Sequence, residues 1–562
     1  MASISRPITE TRRDQMFPTL EAADIERLRR FGEVRSYVQG EYLQKTGEIP
    51  PGMFVILAGE VTITERDAVG GHEPIVTYDP GSFLAELSAL SGSPALVDGV
   101  ARTAVDAIVI APQRLRDLMV QEAVLGETIM RAFILRRVGL IQNAFTGPII
   151  VGQAKSVDSL RLESFLSESG HPYKSLDADV DEGARAVLKR FHFSRSQLPI
   201  VICPAGQVLR NPTESELARC LGLLKPIDST KMYDVAIIGA GPAGLGAAVY
   251  AASEGLSVMV LDRRSFGGQA GTSSRIENYL GFPTGISGLA LMGRAFNQAQ
   301  KFGAEFSIPI EGVRLKDDSD ERDAFVLELS GRQSVRARAV VIATGASYRR
   351  LDVANLAAYE GSHVHYWASP LEARLCAGEE VAIVGAGNSA GQAAVFLAPH
   401  VSKVWLLVRG KSLNASMSRY LIERIKAQDN IEILTETAVV SVEGKKGVLE
   451  AVRWRKGKAG SEFRQAVHHL FLFIGAEPNT NWLRPFDVAM DADGFVRTKP
   501  ELGKPSRPLE TSRPGIFAIG DVRAKSMKRV ASAVGEGAQV AASLHLYLAA
   551  RQGRMKDVSG DK

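Results

Sequence analysis

The sequence predicts an α/β protein in which two strand–glycine-loop–helix units sit behind two smaller modules of different character. Three observations predict it. A buried-strand run, Val235-Ala-Ile-Ile238, leads directly into Gly239-Ala-Gly241-Pro242-Ala243-Gly244 and a small-residue helix. The same pattern returns at Val381-Ala-Ile-Val384, with Gly385-Ala-Gly387-Asn388-Ser389-Ala390 as its loop. At 562 residues the chain exceeds a single core, and its first 224 residues carry short strands and Gly turns instead.

Composition narrows the class. An apolar fraction of 45% and a charged fraction of 23% are ordinary for a globular protein. A net charge of +4 over this length gives no reason to invoke nucleic acid. No apolar run reaches the roughly 20 residues of a membrane span, and the N-terminus lacks a signal pattern. The chain reads as cytoplasmic. The three cysteines, Cys203, Cys220 and Cys376, form no Cys-x-x-Cys pair and read as idle thiols. The nine histidines show no metal-ligand spacing, so no metal site is expected. His363 and His365 alternate on one strand face, and His468-His469 reads as a strand entry.

Residues 1–146 read as a β-rich module closed by helices. A short helix is expected at 21–31, strands at 40–43 and 52–64, and one long helix at 112–142. The stretch Gly81-Ser-Phe-Leu-Ala85-Glu86-Leu, running on to Pro94-Ala95-Leu96, resembles the phosphate cassette of cyclic-nucleotide-binding domains. The resemblance implies a β-roll in which Glu86 holds a ribose hydroxyl. Ala85 stands where that family has a glycine, and Ala95 or Leu96 where it has the phosphate-binding arginine. A buried phosphate needs a charge-assisted partner, so the expectation is a retained fold that packs or regulates without sensing cyclic nucleotides.

Residues 147–224 alternate strand and helix: strands at 147–152, 173–176 and 198–203, helices at 159–167, 181–191 and 213–223. The order resembles a thioredoxin or glutaredoxin fold, with Pro199 at that family's cis-proline. The first strand is followed by Gln153-Ala154-Lys155-Ser156, without cysteine. A module with no active-site thiolate has no disulfide chemistry there and serves docking or spacing.

The chemistry is expected in 232–552. In the first loop Gly239 permits a tight turn, Gly241 lets backbone N–H groups approach a pyrophosphate, and Gly244 lets the helix close on the strand. The next strand ends on Asp262, about 20 residues past the loop, where a carboxylate would grip a ribose hydroxyl pair. In the second unit the corresponding strand ends on Arg409, with Lys411 two residues on and Arg419 as a weaker third cation. A cation there suits the 2′-phosphate of NADPH, whereas an acid would suit NADH.

Four further stretches carry a resemblance to the thioredoxin reductases. They are Gly267-Gly268-Gln269 with Ile276-Glu277-Asn278-Tyr279; Val341-Ile-Ala-Thr344-Gly345; Phe473-Ile-Gly475-Ala-Glu-Pro478-Asn479; and Gly515-Ile-Phe-Ala-Ile-Gly520-Asp521. The resemblance implies two Rossmann-like domains: a discontinuous FAD domain, 232–349 and 475–552, and an inserted NADPH domain, 350–474. It implies FAD at the first loop, with Asp521 on the ribityl chain, Asn278 at the flavin edge and Arg529 near the ring. It implies NADPH as reductant and a homodimer.

One departure limits the reading. That family holds a Cys-Ala-Thr-Cys-Asp run just before the second loop. Here Trp367 and Pro370 take the places of the cysteines and Leu371 that of the acid. The expected activity is therefore hydride transfer from NADPH to FAD and on to an unknown acceptor, with no redox disulfide in line and Trp367 as a lid over the flavin. Two alternatives stand beside it. One is a ferredoxin/flavodoxin–NADP reductase of the cysteine-free branch, which the aromatic-free tail after Tyr547 disfavours. The other is a flavin- and NADPH-binding sensor without turnover.

Overall fold

A computed structural model describes residues 11–66, 72–85, 87–143, 147–154, 156–321, 324–445, 447–457, 460–498 and 507–559. The chain divides into two compact units: 1–154, 165–227 and 297–310 in one; 155–164, 228–296 and 311–562 in the other.

The first unit opens with two four-stranded sheets, the β-roll that the resemblance to cyclic-nucleotide-binding domains implies. One has the order Glu33–Tyr37, Val105–Ile110, Met53–Ala58, Phe83–Leu84; the other Tyr42–Gln44, Asp98–Ala101, Val61–Arg66, His72–Tyr78. Phe54, Ile56, Val61 and Ala107 are fully buried in the core of the roll. The helix expected as one piece at 112–142 is two, Pro112–Gln121 and Ala123–Asn143. Glu122 leaves helical geometry at the break, and its carboxylate accepts from the guanidinium groups of Arg27 and Arg30. Periodicity cannot register such a tertiary contact.

Within the same unit lies a mixed sheet in the order Lys174–Asp177, Ile149–Gly152, Ile200–Ile202, Val208–Arg210. Its first pair is parallel and the others antiparallel, and the Leu198–Pro199 peptide is cis. Thr213 and Glu216 form a capping box that starts the helix Glu214–Cys220. Cys203 and Cys220 are joined as a disulfide, Cα to Cα 6.2 Å. This corrects the expectation of three idle thiols: a separation of 17 residues gave no motif, and the fold supplies the proximity.

The second unit begins with β1 (Met232–Ile238), α1 (Pro242–Ser253) and β2 (Val258–Leu261). β3 (Phe325–Leu329) and β4 (Ser334–Ile342) follow, and β5 (Ala346–Tyr348) leads out. The inserted domain holds β6 (Val364–His365), α2 (Pro370–Leu375), β7 (Glu380–Val384), α3 (Asn388–Leu397), β8 (Lys403–Val408), α4 (Arg419–Lys426), β9 (Ile431–Thr435) and β10 (His469–Leu472). β11 (Ala476–Pro478) leads back, β12 (Ile516–Ala518) pairs with β4, and α5 (Val530–Ser559) closes the chain. β1 lies between β2 and β4, parallel to both. The inserted sheet is parallel throughout, in the order β6–β10–β7–β8–β9. Parallel strands covered on both faces explain the unbroken apolar runs at 235–238 and 381–384. An antiparallel ribbon of β5 and β11 runs between the sheet that holds β1 and the sheet that holds β7. Among the described residues no helix is long and apolar enough to cross a membrane.

Candidate nucleotide sites and the substituted segment

Each glycine of the first loop occupies a different steric situation. A Cβ on Gly239, whose φ is +112°, would fall 2.1 Å from the Ala343 carbonyl oxygen, and one on Gly244 only 1.8 Å from the Gly239 carbonyl oxygen. A Cβ on Gly241 would meet nothing nearer than Gly268 Cα at 3.9 Å. The loop is thus closed where helix meets strand and bare at the start of α1, where first-turn amides and the helix dipole favour an anion. Pro242 and Ala243 form that first turn. Asp262 braces the loop from the end of β2, its carboxylate accepting from Ala240 N at 2.8 Å and Arg264 N at 2.9 Å. Burial pushes this carboxyl up, and the two amides oppose the shift.

The other residues expected at this site converge on the loop. Gly267 N donates to the Ala240 carbonyl at 2.7 Å, which sets Gly268 against Gly241. Gln269 donates from its side-chain amide to the Ala346 carbonyl. Thr344 Oγ1 donates to the Asn479 carbonyl at 2.9 Å, and Asn479 Nδ2 returns a bond to the Thr344 carbonyl at 2.8 Å. These bonds tie Thr344-Gly345 to the returning ribbon. Gly520 N donates to Glu536 Oε2 at 2.6 Å, so α5 fixes the turn that presents Asp521. Burial pushes the Asp521 carboxyl up, Lys528 lowers it and Glu536 adds to the rise.

Asn278 and Arg529 are exposed. Arg529 donates to the Lys528 carbonyl, and its charge acts on the Tyr420 hydroxyl of α4. Glu277, beside Asn278, accepts two bonds from Arg424 Nη1 at 2.6 Å each. This pair joins the loop that holds Asn278 to α4. Pattern reading missed it, because 147 residues separate the partners.

The second loop repeats the first. A Cβ on Gly385 would lie 2.6 Å from the Phe473 carbonyl oxygen, while one on Gly387 would meet nothing within 4 Å. Asn388 Oδ1 accepts from Ser418 N at 2.7 Å. Ser389 accepts from the Tyr348 hydroxyl at 2.8 Å, a contact from ribbon to loop that the sequence did not signal. Arg409 and Lys411 are both exposed beyond β8. Arg419 is 92% exposed and paired with Glu423 within α4.

The segment Trp367–Leu371 has a definite structural job. Ser369 caps α2, with its Oγ accepting from Leu371 N at 3.2 Å, and Glu372 Oε2 accepts from Ser369 N at 2.9 Å. Pro370 takes the first helical position, where its missing N–H costs nothing. The Trp367 indole donates to Glu372 Oε1 at 3.1 Å and lies under the Arg264 guanidinium, 5.0 Å away. Arg264 lies two residues past Asp262, at the end of β2. Cys376 caps the far end of α2, and burial, then Glu372 and Glu379, push its thiol up, away from the thiolate a relay would need.

In the first unit, apolar side chains and one arginine occupy the stretch read as the cassette. Ala85, Ala95 and Leu96 are buried, and Arg136 donates to the carbonyls of Met16, Phe83 and Ala85. Glu86 lies outside the described residues.

Comparison with known proteins agrees with this geometry. Residues 233–537 match the family described as pyridine nucleotide-disulphide oxidoreductase, and residues 34–122 match the cyclic nucleotide-binding domain. A thioredoxin reductase of Bacillus subtilis is 32% identical over 330 residues, 58% of this chain and 98% of that protein. The crystal structure of Lactococcus lactis thioredoxin reductase in the FR conformation overlays with a TM-score of 0.52 at 26% identity, covering 56% of this chain and 99% of that one. The thioredoxin reductase of T. acidophilum gives the same TM-score at 29% identity, covering 57% and 99%. With half its length in that match and thioredoxin reductases among its relatives, the chain belongs to the pyridine nucleotide-disulphide oxidoreductase family, and a cyclic nucleotide-binding domain precedes its oxidoreductase part.

Proposed function

We propose that the protein is an NADPH-dependent FAD oxidoreductase that passes electrons from reduced flavin directly to an acceptor, with no disulfide between them. The observation that carries the reading is the pair of glycine loops, each bare at one helix start, together with a Ser369–Glu372 capping box where the family resemblance places its cysteines. When bound, NADPH and FAD supply the redox chemistry, a hydride passing from the nicotinamide to the flavin.

The chain's own residues hold and orient. Gly239, Gly241, Pro242, Ala243 and Gly244 would seat the FAD pyrophosphate, with Asp262 on the ribose and Asp521 on the ribityl chain. Gly268, Gln269, Thr344 and Gly345 would wall that site, with Asn278 and Arg529 reaching the flavin from the domain junction. Gly385, Gly387, Asn388 and Ser389 would seat the NADPH pyrophosphate, and Arg409 and Lys411 the 2′-phosphate. The Glu277–Arg424 pair and the Tyr348–Ser389 bond would fix how the second domain is presented to the first. Such positioning is the protein's main contribution to a transfer between two bound cofactors.

Anaerobic mixing of the purified protein with NADPH tests the reading. Loss of the oxidised flavin spectrum supports it, and turnover with ferredoxin, quinones or disulfides then sorts the acceptors. A flavin that stays oxidised over minutes sinks it.

A further inference from the structure

Three residues that no spacing rule joins meet inside the second nucleotide domain. His365 ends β6, His469 begins β10, and Cys376 caps α2. All are buried, and their donor atoms lie within 4.8 Å of one another. His365 Nε2 and His469 Nδ1 are 3.0 Å apart. A tetrahedral ion with bonds of about 2.0 Å to nitrogen and 2.3 Å to sulfur sets its donors roughly 3.3–3.6 Å apart, so small side-chain rotations close the site. This corrects the expectation from the sequence that the histidines do not cluster.

We propose that His365, Cys376 and His469 bind a thiophilic d10 cation, zinc(II) or copper(I), as a structural clasp. The donor set is one sulfur and two imidazole nitrogens, which suits these ions and not magnesium or calcium. The surroundings supply the outer contact that metal-bound imidazoles use. Glu379 Oε2 lies 3.6 Å from His469 Nε2, the nitrogen turned away from the site. His365 stacks on the buried Phe471 ring, centroids 4.8 Å apart, which fixes its plane.

Binding balances simply. Cys376 releases its thiol proton to solvent as the metal–sulfur bond forms. The hydrogen held between His365 Nε2 and His469 Nδ1 moves by tautomer exchange to the outer nitrogen of the ring that carries it, leaving both rings neutral, with Glu379 Oε2 3.6 Å from His469 Nε2. The clasp brackets the substituted segment: Trp367–Pro370 lies between the ligands His365 and Cys376, while His469 belongs to the neighbouring strand. An ion there would staple α2 to the sheet.

The test uses the full-length flavoprotein. Metal content is measured on the purified protein, then zinc sulfate and, in a separate arm, copper(I) are titrated into chelated protein under reducing conditions. X-ray absorption of the loaded sample reads the ligands. Cys376→Ala and His365→Gln are titrated in parallel, so that one misfolding variant leaves the other to decide. The proposal expects roughly one ion per chain, one sulfur shell near about 2.3 Å with nitrogen near about 2.0 Å, and affinity at least tenfold weaker in either folded variant. No uptake of either ion, a nitrogen- and oxygen-only shell, or unchanged affinity in a folded variant overturns it.

Discussion

Trp367 donates its indole N–H to Glu372 at 3.1 Å, and the same carboxylate closes a capping box with Ser369. The segment Trp367–Glu372 is therefore the start of a helix. Replacing Ser369 with alanine removes the Oγ acceptor of Leu371 N and costs about 1 kcal/mol of domain stability. Flavin reduction by NADPH in Ser369→Ala stays within about twofold of the parent at 25 °C, since the cap positions no transferring group. A melting curve and a stopped-flow trace on the same sample check both halves.

The two kinds of glycine in the first loop separate folding from binding. Gly244→Ala drives a Cβ to 1.8 Å from a backbone oxygen that no side-chain rotation can relieve, and the protein fails to accumulate in folded form. Gly241→Ala keeps an allowed φ of −73° and meets no atom closer than 3.9 Å, so it folds. If the proposed FAD site is right, its methyl group enters the path of the pyrophosphate, and it purifies with little flavin. Flavin content per chain, measured beside the melting temperature, distinguishes the two.

Replacing Arg409 and Lys411 together with alanine lowers the NADPH-to-NADH efficiency ratio by about tenfold or more, the scale of losing a charge-assisted hydrogen bond. NADH kinetics change little. An unchanged ratio in steady-state assays removes the 2′-phosphate assignment.

The first unit carries a pH dependence of its own. His171 is 3% exposed and its ring Nδ1 meets the Pro172 carbonyl at 2.9 Å. Burial, then Arg137, lowers it to about 3 from an ordinary 6.5. With the folded value depressed, the contribution of neutral His171 is complete above the unfolded value near 6.5. It is lost as pH falls from there toward 3, at up to about 1.4 kcal/mol per pH unit. Melting temperatures across pH 7 to 4 fall less steeply in His171→Gln than in the parent, after other groups are matched between the two.

How much of this was legible depended on whether the signal was local. The loops at 239–244 and 385–390 were readable because strand, turn and helix packing each demand a small residue within a few positions. The cap at Ser369 has a local signature too, Ser-Pro-x-Glu ahead of a helix. The Glu277–Arg424 pair, the Cys203–Cys220 bond and the His365–Cys376–His469 group were not readable. Each joins residues that only the completed fold brings together, and no period or motif records them. The helix break at Glu122 was hidden because arginines elsewhere in the chain hold its carboxylate.

The most direct test of the central claim is an anaerobic titration of the flavoprotein with NADPH, followed by the flavin spectrum. Electron transfer without an in-line disulfide predicts complete bleaching at about one equivalent of NADPH per flavin, a hydride carrying the two electrons that one flavin accepts. A flavin that remains oxidised, or one that bleaches fully only after a second equivalent has been consumed, contradicts the account.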